Sequence, residues 1–297
     1  MFNNKVENIN KTKKIPYNKL TDENRKDILE TYFTRIDITI PKISDYLNIS
    51  TRAVARVLKD NNINTARLNR YTLNEYYFEN IDTERKAYLL GLLFADGFVG
   101  DEKYNNVVID LHKNDLHILE EFKNEIQFTG EIRETKSSGG FSKEGETSLR
   151  LNFSSKVMAK HLRDYGIVVK RSETMTTLPN IPSHLISHFI RGYFDGDGTI
   201  SMLKRKSYRN FSGTTKLYEH MNYFFSIIGH KEFLECIAKE MNLESYSFEK
   251  SKNENMVYLN VRSKVEMPKI YDYLYKDSTI KLQRKYDKFN EIMGDIK

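Results

Sequence analysis

Two short stretches of this chain are nearly the same text, and any fold must give them equivalent places. The first is Leu89-Leu90-Gly91-Leu92-Leu93-Phe94-Ala95-Asp96-Gly97, and the second is Ile190-Arg191-Gly192-Tyr193-Phe194-Asp195-Gly196-Asp197-Gly198. Each is an apolar run with an early glycine, a small residue four places on, and then Asp-Gly. Asp96 and Asp197 stand 101 positions apart, and 100 residues follow Asp197. Self-similarity at a fixed period is the mark of a repeated structural unit.

The flanking patterns repeat with the motif. After Asp96, Val107, Ile109 and Leu111 alternate with Val108, Asp110 and His112, the period of a half-buried strand. Asp115 then opens a helical pattern through Leu116, Leu119, Phe122 and Ile126. Strands over 131–134 and 148–153 flank a Gly/Ser loop at 137–145, and 156–165 is helical again. After Asp197 the order returns: strands over 199–206 and 221–228, a helix over 231–241, strands over 245–249 and 256–262, and helices over 265–275 and 280–293. The spacing predicts an α+β chain of two pseudo-symmetric units, each helix, two strands, helix, two strands, helix, over 83–178 and 179–297.

The rest of the chain is read against those units. Residues 1–70 carry 14 Lys and Arg against 8 Asp and Glu, so the whole formal excess of +6 lies there and the body is balanced. A basic arm on a neutral body suits a polyanion such as nucleic acid, or serves as a solubilising tail. Residues 1–17 read as a basic tail, 18–70 as three short helices and 71–82 as a linker. Thr21 begins the first helix, Pro41 sits in the first turn of the second, and Ser50 caps the third after a tight turn at Asn48-Ile49. Arg52, Arg56 and Lys59 face outward on the third, the pattern of a helix-turn-helix DNA reader; a plain three-helix bundle has the same periodicity. No apolar run approaches the roughly 20 residues of a membrane span. A single cysteine, Cys236, fits a reducing compartment, so an intracellular setting is expected.

As helices, the motifs have a small face. Gly91 and Ala95, and likewise Gly192 and Gly196, lie one turn apart on one side, where a second helix backbone can approach closely. If the two motif helices pack on those faces, Asp96 and Asp197 arrive at the same end of the pair. Carboxylates gathered at helix C-termini repel each other and oppose the helix dipole. A divalent cation with oxygen ligands, Mg²⁺ above all (or Mn²⁺), answers that need and can activate water beside a phosphodiester.

Those residues, over about 83–297, resemble the LAGLIDADG motif of homing endonucleases in the single-chain form with two motifs. The resemblance implies an αββαββα fold in each half, with saddle-shaped antiparallel sheets in successive major grooves of double-stranded DNA. It implies a monomer that cuts both strands and leaves short 3′ overhangs. The last acid of each motif is the family's metal-binding residue, so Asp96 and Asp197 carry that role, with the backbone of Ala95 and Gly196 beside them. Phe94 replaces the earlier acid of the motif that Asp195 keeps, and Arg191 stands where the family usually has a small residue. The family also places a basic residue after the last helix of each half, near the attacking water. This nominates Lys170 in one half and Gln283 or Lys285 in the other; a solvated charge run is the competing reading. A regulator that binds without cutting, or an RNA-splicing maturase, would use the same scaffold.

Alternation nominates the DNA-facing side chains: Asp110, His112, Arg133, Arg150 and Asn152 in the first half, and Thr199, Ser201, Arg205, Tyr258, Asn260 and Arg262 in the second. Lys204 and Lys206 are expected on phosphates. His184 and His188 lack a third zinc ligand, and Asp195-Gly196-Asp197-Gly198 lacks the later ligands of a calcium loop.

Overall fold

The structure, a computed structural model, describes residues 13–34, 39–63, 71–136, 147–167, 175–211 and 214–296. It divides into two compact units, Met1–Arg70 and Tyr71–Lys297. No helix among the described residues is long and apolar enough to cross a membrane.

The smaller unit holds α1 (Asp22–Thr34), α2 (Ile40–Tyr46) and α3 (Thr51–Asp60). Short polar side chains begin each helix. Thr21 and Asn24 cap one another reciprocally at 3.2 Å. Thr39 accepts from the Lys42 N–H, and Ser50 Oγ accepts from the Ala53 N–H at 3.3 Å. Between α2 and α3 the chain turns through Asn48 at φ +52°, a left-handed conformation that asparagine tolerates. Ile28, Ile43, Ile49, Ala53, Val54, Val57 and Leu58 make the core. The tail expected over residues 1–17 is folded where it is described: Ile15 forms a parallel bridge with Ile49, and Tyr17–Lys19 is a 3₁₀ turn. Ile15 has an apolar neighbour to meet, which charge counting does not reveal.

The larger unit repeats one order of elements. Its first half runs α4 (Glu84–Asp96), β1 (Gly97–Val99), β2 (Asn106–His112), α5 (Leu116–Glu125), β3 (Arg133–Lys136), β4 (Thr147–Ser154) and α6 (Lys156–Asp164). Its second runs α7 (Ile186–Asp197), β5 (Gly198–Phe211), β6 (Thr214–Gly229), α8 (Lys231–Glu240), β7 (Ser247–Lys250), β8 (Val257–Val261), α9 (Glu266–Tyr275) and α10 (Gln283–Ile296). The sheets have matching antiparallel orders, β1-β2-β4-β3 and β5-β6-β8-β7. One face of each sheet is buried: Val107, Ile109, Leu111, Leu149, Leu151 and Phe153 in the first, Ile200, Phe225, Ile227 and Leu259 in the second.

Two expectations are corrected. Residues 71–82 are not a free linker, because Tyr77, Phe78 and Ile81 are buried in the core of the larger unit. Tyr77 Oη also donates to Glu125 at 2.7 Å. The strands after the second motif are longer than 199–206 and 221–228. The register runs from Gly198↔Ile227 to Phe211↔Thr214, while of β6 only residues 225–229 pair with β8. The outer part is a two-stranded ribbon with both faces in solvent, so the apolar alternation that marks a packed strand fades there.

Candidate active site

The motif helices α4 and α7 cross through their glycines. A Cβ built on Gly91 would lie 2.0 Å from the Phe189 carbonyl oxygen, and one on Gly192 would lie 2.0 Å from that of Tyr88. These contacts are equivalent under the 101-residue repeat, so the helices meet about a pseudo-twofold axis. Farther along, Gly196 faces Ala95, whose Cβ would be 2.2 Å from a Cβ on Gly196, and the Asp96 carboxylate, at 2.8 Å. The four small residues therefore lie at the crossing, where side chains would hold the backbones apart.

Each helix ends at its aspartate. The Gly97 N–H returns to the Leu93 carbonyl and the Gly198 N–H to the Phe194 carbonyl, equivalent closures that turn the chain into β1 and β5. Asp96 is exposed and Asp197 half-exposed. Both carboxylates thus stand where the helices end together, at the open edge of the interface.

The position two before each terminal acid differs between halves. Asp195 is 2% exposed. Its Oδ2 accepts from Tyr88 Oη at 2.9 Å and from the Leu282 N–H at 2.7 Å. Burial pushes its carboxyl upward, against the Lys285 charge and these donors. On the other side Phe94 meets Phe189 edge-on, centroids 5.0 Å apart.

The expected basic residues have separate fates. Lys170 lies outside the described residues. Gln283 is exposed at the start of α10, where its amide donates to Asp287 at 2.7 Å, a helix-surface pair. Lys285 is 5% exposed, and its Nζ donates to the carbonyls of Phe194 and Asp195 at 2.7 Å and of Gly198 at 2.6 Å. All three ammonium hydrogens are thereby used, so Lys285 closes the C-terminal end of α7 and offsets its dipole. That corrects the expectation that it polarises water directly. Burial depresses its pKa to about 8, opposed by Asp195, Asp96 and Asp197. Laying Ile167 on Ile280 puts Ser172 opposite Lys285, so no second lysine is written there.

Arg191, Glu84 and the Arg284–Asp115 pair, not foreseen as part of the site, connect to it. Arg191, 0% exposed, donates to the carbonyls of Ile280 at 3.0 Å and Leu274 at 2.9 Å, and to Glu84 at 2.7 Å. Glu84, at the start of α4, also accepts from the Thr279 N–H and hydroxyl, both at 2.6 Å. Arg284 pairs with the buried Asp115 of the other half at 3.1 and 3.2 Å. A charge inside an apolar motif helix was the available signal for Arg191; its partners are distant in sequence.

The open sheet faces carry most of the alternation-derived positions. In the first half Arg150 forms a two-pronged pair with Asp110 at 2.6 and 2.7 Å, Arg133 lies opposite Arg150, and Asn152 is exposed. His112 accepts from the Asn114 N–H at 3.2 Å, which commits Nδ1 to the turn. In the second half the register puts Thr199, Ser201 and Arg205 on one face, with Ser226, Phe224 and His220 beside them. Tyr258 is half-buried there, and the Arg262 guanidinium lies 5.1 Å over the Phe224 ring. Of the remaining positions, Lys204 and Lys206 are paired within the protein and Asn260 departs from expectation. Lys204 and Lys206 lie on the opposite face, both paired to Glu219 at 2.5 and 3.3 Å, because their even register alternates away from Arg205. Asn260 is 2% exposed and accepts from Ser226 Oγ at 2.7 Å.

In the smaller unit Arg52, Arg56 and Lys59 are exposed on α3. The Tyr17 ring holds the Arg56 guanidinium at 4.3 Å and that of Arg25 at 4.6 Å.

Among the described residues no group of three His, Cys, Asp or Glu could hold a metal ion. The donor set at the motif ends is two carboxylates, too few for a dedicated protein cage. It fits Mg²⁺, which takes one or two carboxylates and fills its shell with water and substrate phosphate.

Residues 190–293 match the family model described as LAGLIDADG endonuclease. The fold is similar to that of the I-LtrWI LAGLIDADG homing endonuclease bound to target DNA, with TM-score 0.51, 14% identity, and 74% of this chain and 91% of that chain covered. Meganuclease I-SmaMI bound to uncleaveable DNA with a TTGT central four gives TM-score 0.49 at 16% identity, covering 73% of this chain and 90% of that one. LAGLIDADG meganuclease I-AabMI bound to uncleaved DNA gives 0.47 at 15% identity, covering 70% and 89%. No curated protein sequence matches the chain.

Proposed function

We propose that this chain, whose residues 190–293 match the LAGLIDADG endonuclease model, is a member of that family and a site-specific DNA endonuclease acting as a monomer on double-stranded DNA. The observation that carries the reading is the crossing of α4 and α7 at Gly91 and Gly192, which brings the ends bearing Asp96 and Asp197 together.

Asp96 and Asp197 would hold a divalent ion, Mg²⁺ or Mn²⁺, with the carbonyls of Ala95 and Gly196 beside them. When bound, such an ion lowers the pKa of a water and stabilises the leaving oxygen of a phosphodiester. The chain's own parts do the remaining work. The glycine contact sets the carboxylate spacing. Lys285 offsets the C-terminal dipole of α7, where Asp197 adds negative charge. Arg133, Arg150, Asn152, Thr199, Ser201, Arg205 and Arg262 offer donors to bases or phosphates along the open faces. Cleavage of both strands with short 3′ overhangs is the expected product. The α2–turn–α3 arrangement supports a helix-turn-helix reader, in which Arg52, Arg56 and Lys59 make a separate DNA contact.

The test is a randomised duplex library incubated with the full chain and Mg²⁺, followed by sequencing of the cut ends. One recurrent site with 3′ overhangs is expected, and random or absent ends would contradict the reading. For the smaller unit, deleting residues 1–70 should weaken binding to that site and flatten its salt dependence. Unchanged affinity and slope would assign the unit another role.

A further inference from the structure

Among the described residues the Arg191–Glu84 network lies on one side of the pseudo-twofold axis. Under the 101-residue repeat its counterparts are Leu90 and Leu185, both buried and apolar. Arg191 is the largest fully buried side chain among the described residues. Burying a guanidinium is costly unless its donors are used, and here they reach two backbone carbonyls, His188 and Glu84. Burial opposes ionisation of Glu84, but the Thr279 hydroxyl and amide, with the Arg191 charge, hold its carboxyl below the ordinary glutamate range.

The network grips one segment. Arg191 holds the carbonyls of Leu274 and Ile280, and Glu84 accepts from the amides of Thr279 at 2.6 Å and Ile280 at 3.3 Å. Two residues farther on, the Leu282 N–H meets Asp195, and three beyond that Lys285 closes the end of α7 next to Asp197. The path from the buried ion pair to the second acid is thus a continuous run of hydrogen bonds along 279–285. Glu84 comes from the first half and everything it holds from the second, so the pair also locks the two halves.

We propose that Arg191 and Glu84 are positioning residues for one of the two strand cuts: they fix residues 279–285, and through Leu282 and Lys285 the end of α7 at Asp197, while their counterparts in the other half, Leu90 and Leu185, can form no such ion pair. The proposal rests on the endonuclease reading. Its consequence is a difference between strands. A misplacement of about 1 Å away from the chemistry can cost on the order of 100-fold in rate, and here it would fall on one side.

The experiment compares the full chain with Arg191→Leu and Glu84→Gln by two measurements. Hydrogen–deuterium exchange reads the amides of Ile280 and Leu282 without DNA or metal. Cleavage of supercoiled plasmid carrying the selected site, each strand labelled separately, reads the two cuts. Arg191→Leu should speed exchange at both amides and slow one cut by roughly tenfold or more, so that nicked circles accumulate while DNA affinity is retained. Glu84→Gln, which keeps size and an acceptor, should act in the same direction with smaller effect, and it carries the test if Arg191→Leu does not fold. Unchanged exchange at Leu282, or equal slowing of both strands, overturns the proposal. A wild-type chain that cuts neither strand overturns the endonuclease reading, and exchange then decides whether the tether exists.

Discussion

Tyr88 donates to Asp195 across the helix interface at 2.9 Å, whereas its pseudo-equivalent Phe189 meets Phe94 ring-to-ring at 5.0 Å. The two contacts occupy the same pair of positions in the repeat, 88 with 195 and 189 with 94. One side of the interface is joined by a hydroxyl and a buried carboxyl, the other by two phenyl rings. The difference between Phe94 and Asp195 in the motifs is therefore half of a matched change, whose other half lies one helix away.

Tyr88→Phe should destabilise the chain by about 1–3 kcal/mol, the cost of removing one partner from a buried polar group. Asp195 Oδ1 has no partner among the described residues, so the Leu282 N–H alone would remain to its carboxyl. Asp195→Asn should cost less, because an amide still accepts from Tyr88 and sheds the burial cost that pushes the acid upward. Thermal unfolding of the two variants orders them. A Tyr88→Phe melting point equal to wild type would mean that the hydroxyl contributes nothing.

Gly91→Ala and Gly192→Ala should each cost about 3 kcal/mol or more, since a methyl group would meet a carbonyl oxygen of the facing helix. By the pseudo-twofold relation the two costs should be similar. Gly294→Ala is the control: nothing lies within 4 Å of its added carbon, and in α10 alanine should stabilise by up to about 1 kcal/mol. Denaturant midpoints compare all three. Near-neutral changes at 91 and 192 would contradict the close crossing.

Arg205→Ala should weaken binding to the selected site by about 1–3 kcal/mol, because Arg205 shares its face of the ribbon with Thr199 and Ser201. Lys204→Ala and Lys206→Ala should change affinity far less, being opposite and already paired to Glu219. Fluorescence anisotropy on labelled duplex across a salt series separates the cases. Equal losses from all three would mean that both faces of the ribbon meet DNA.

The fold was legible because it is written twice: motif spacing and alternating strands are local signals, and the two copies check each other. The small faces and their aspartates followed from helical periodicity. What stayed hidden depended on partners far apart in the chain. Arg191 reads as an oddity until Glu84 and the Ile280 carbonyl lie beside it. Lys285 reads as part of a charge run until three carbonyls at the end of α7 take its hydrogens. Lys204 and Lys206 were already set apart from Arg205 by alternation, but their shared partner Glu219, across the ribbon, is not legible in the sequence. Residues 71–82 were misread because aromatic residues between patterned segments do not show which core they will join.

The most direct test of the central claim is strand-resolved cleavage of the selected site by Asp96→Asn and Asp197→Asn in Mg²⁺, with binding measured on the same duplex. If the crossing of α4 and α7 assembles a two-carboxylate centre, each variant should bind the site and fail to make the double-strand break. Wild-type double-strand cutting by either variant would contradict the account.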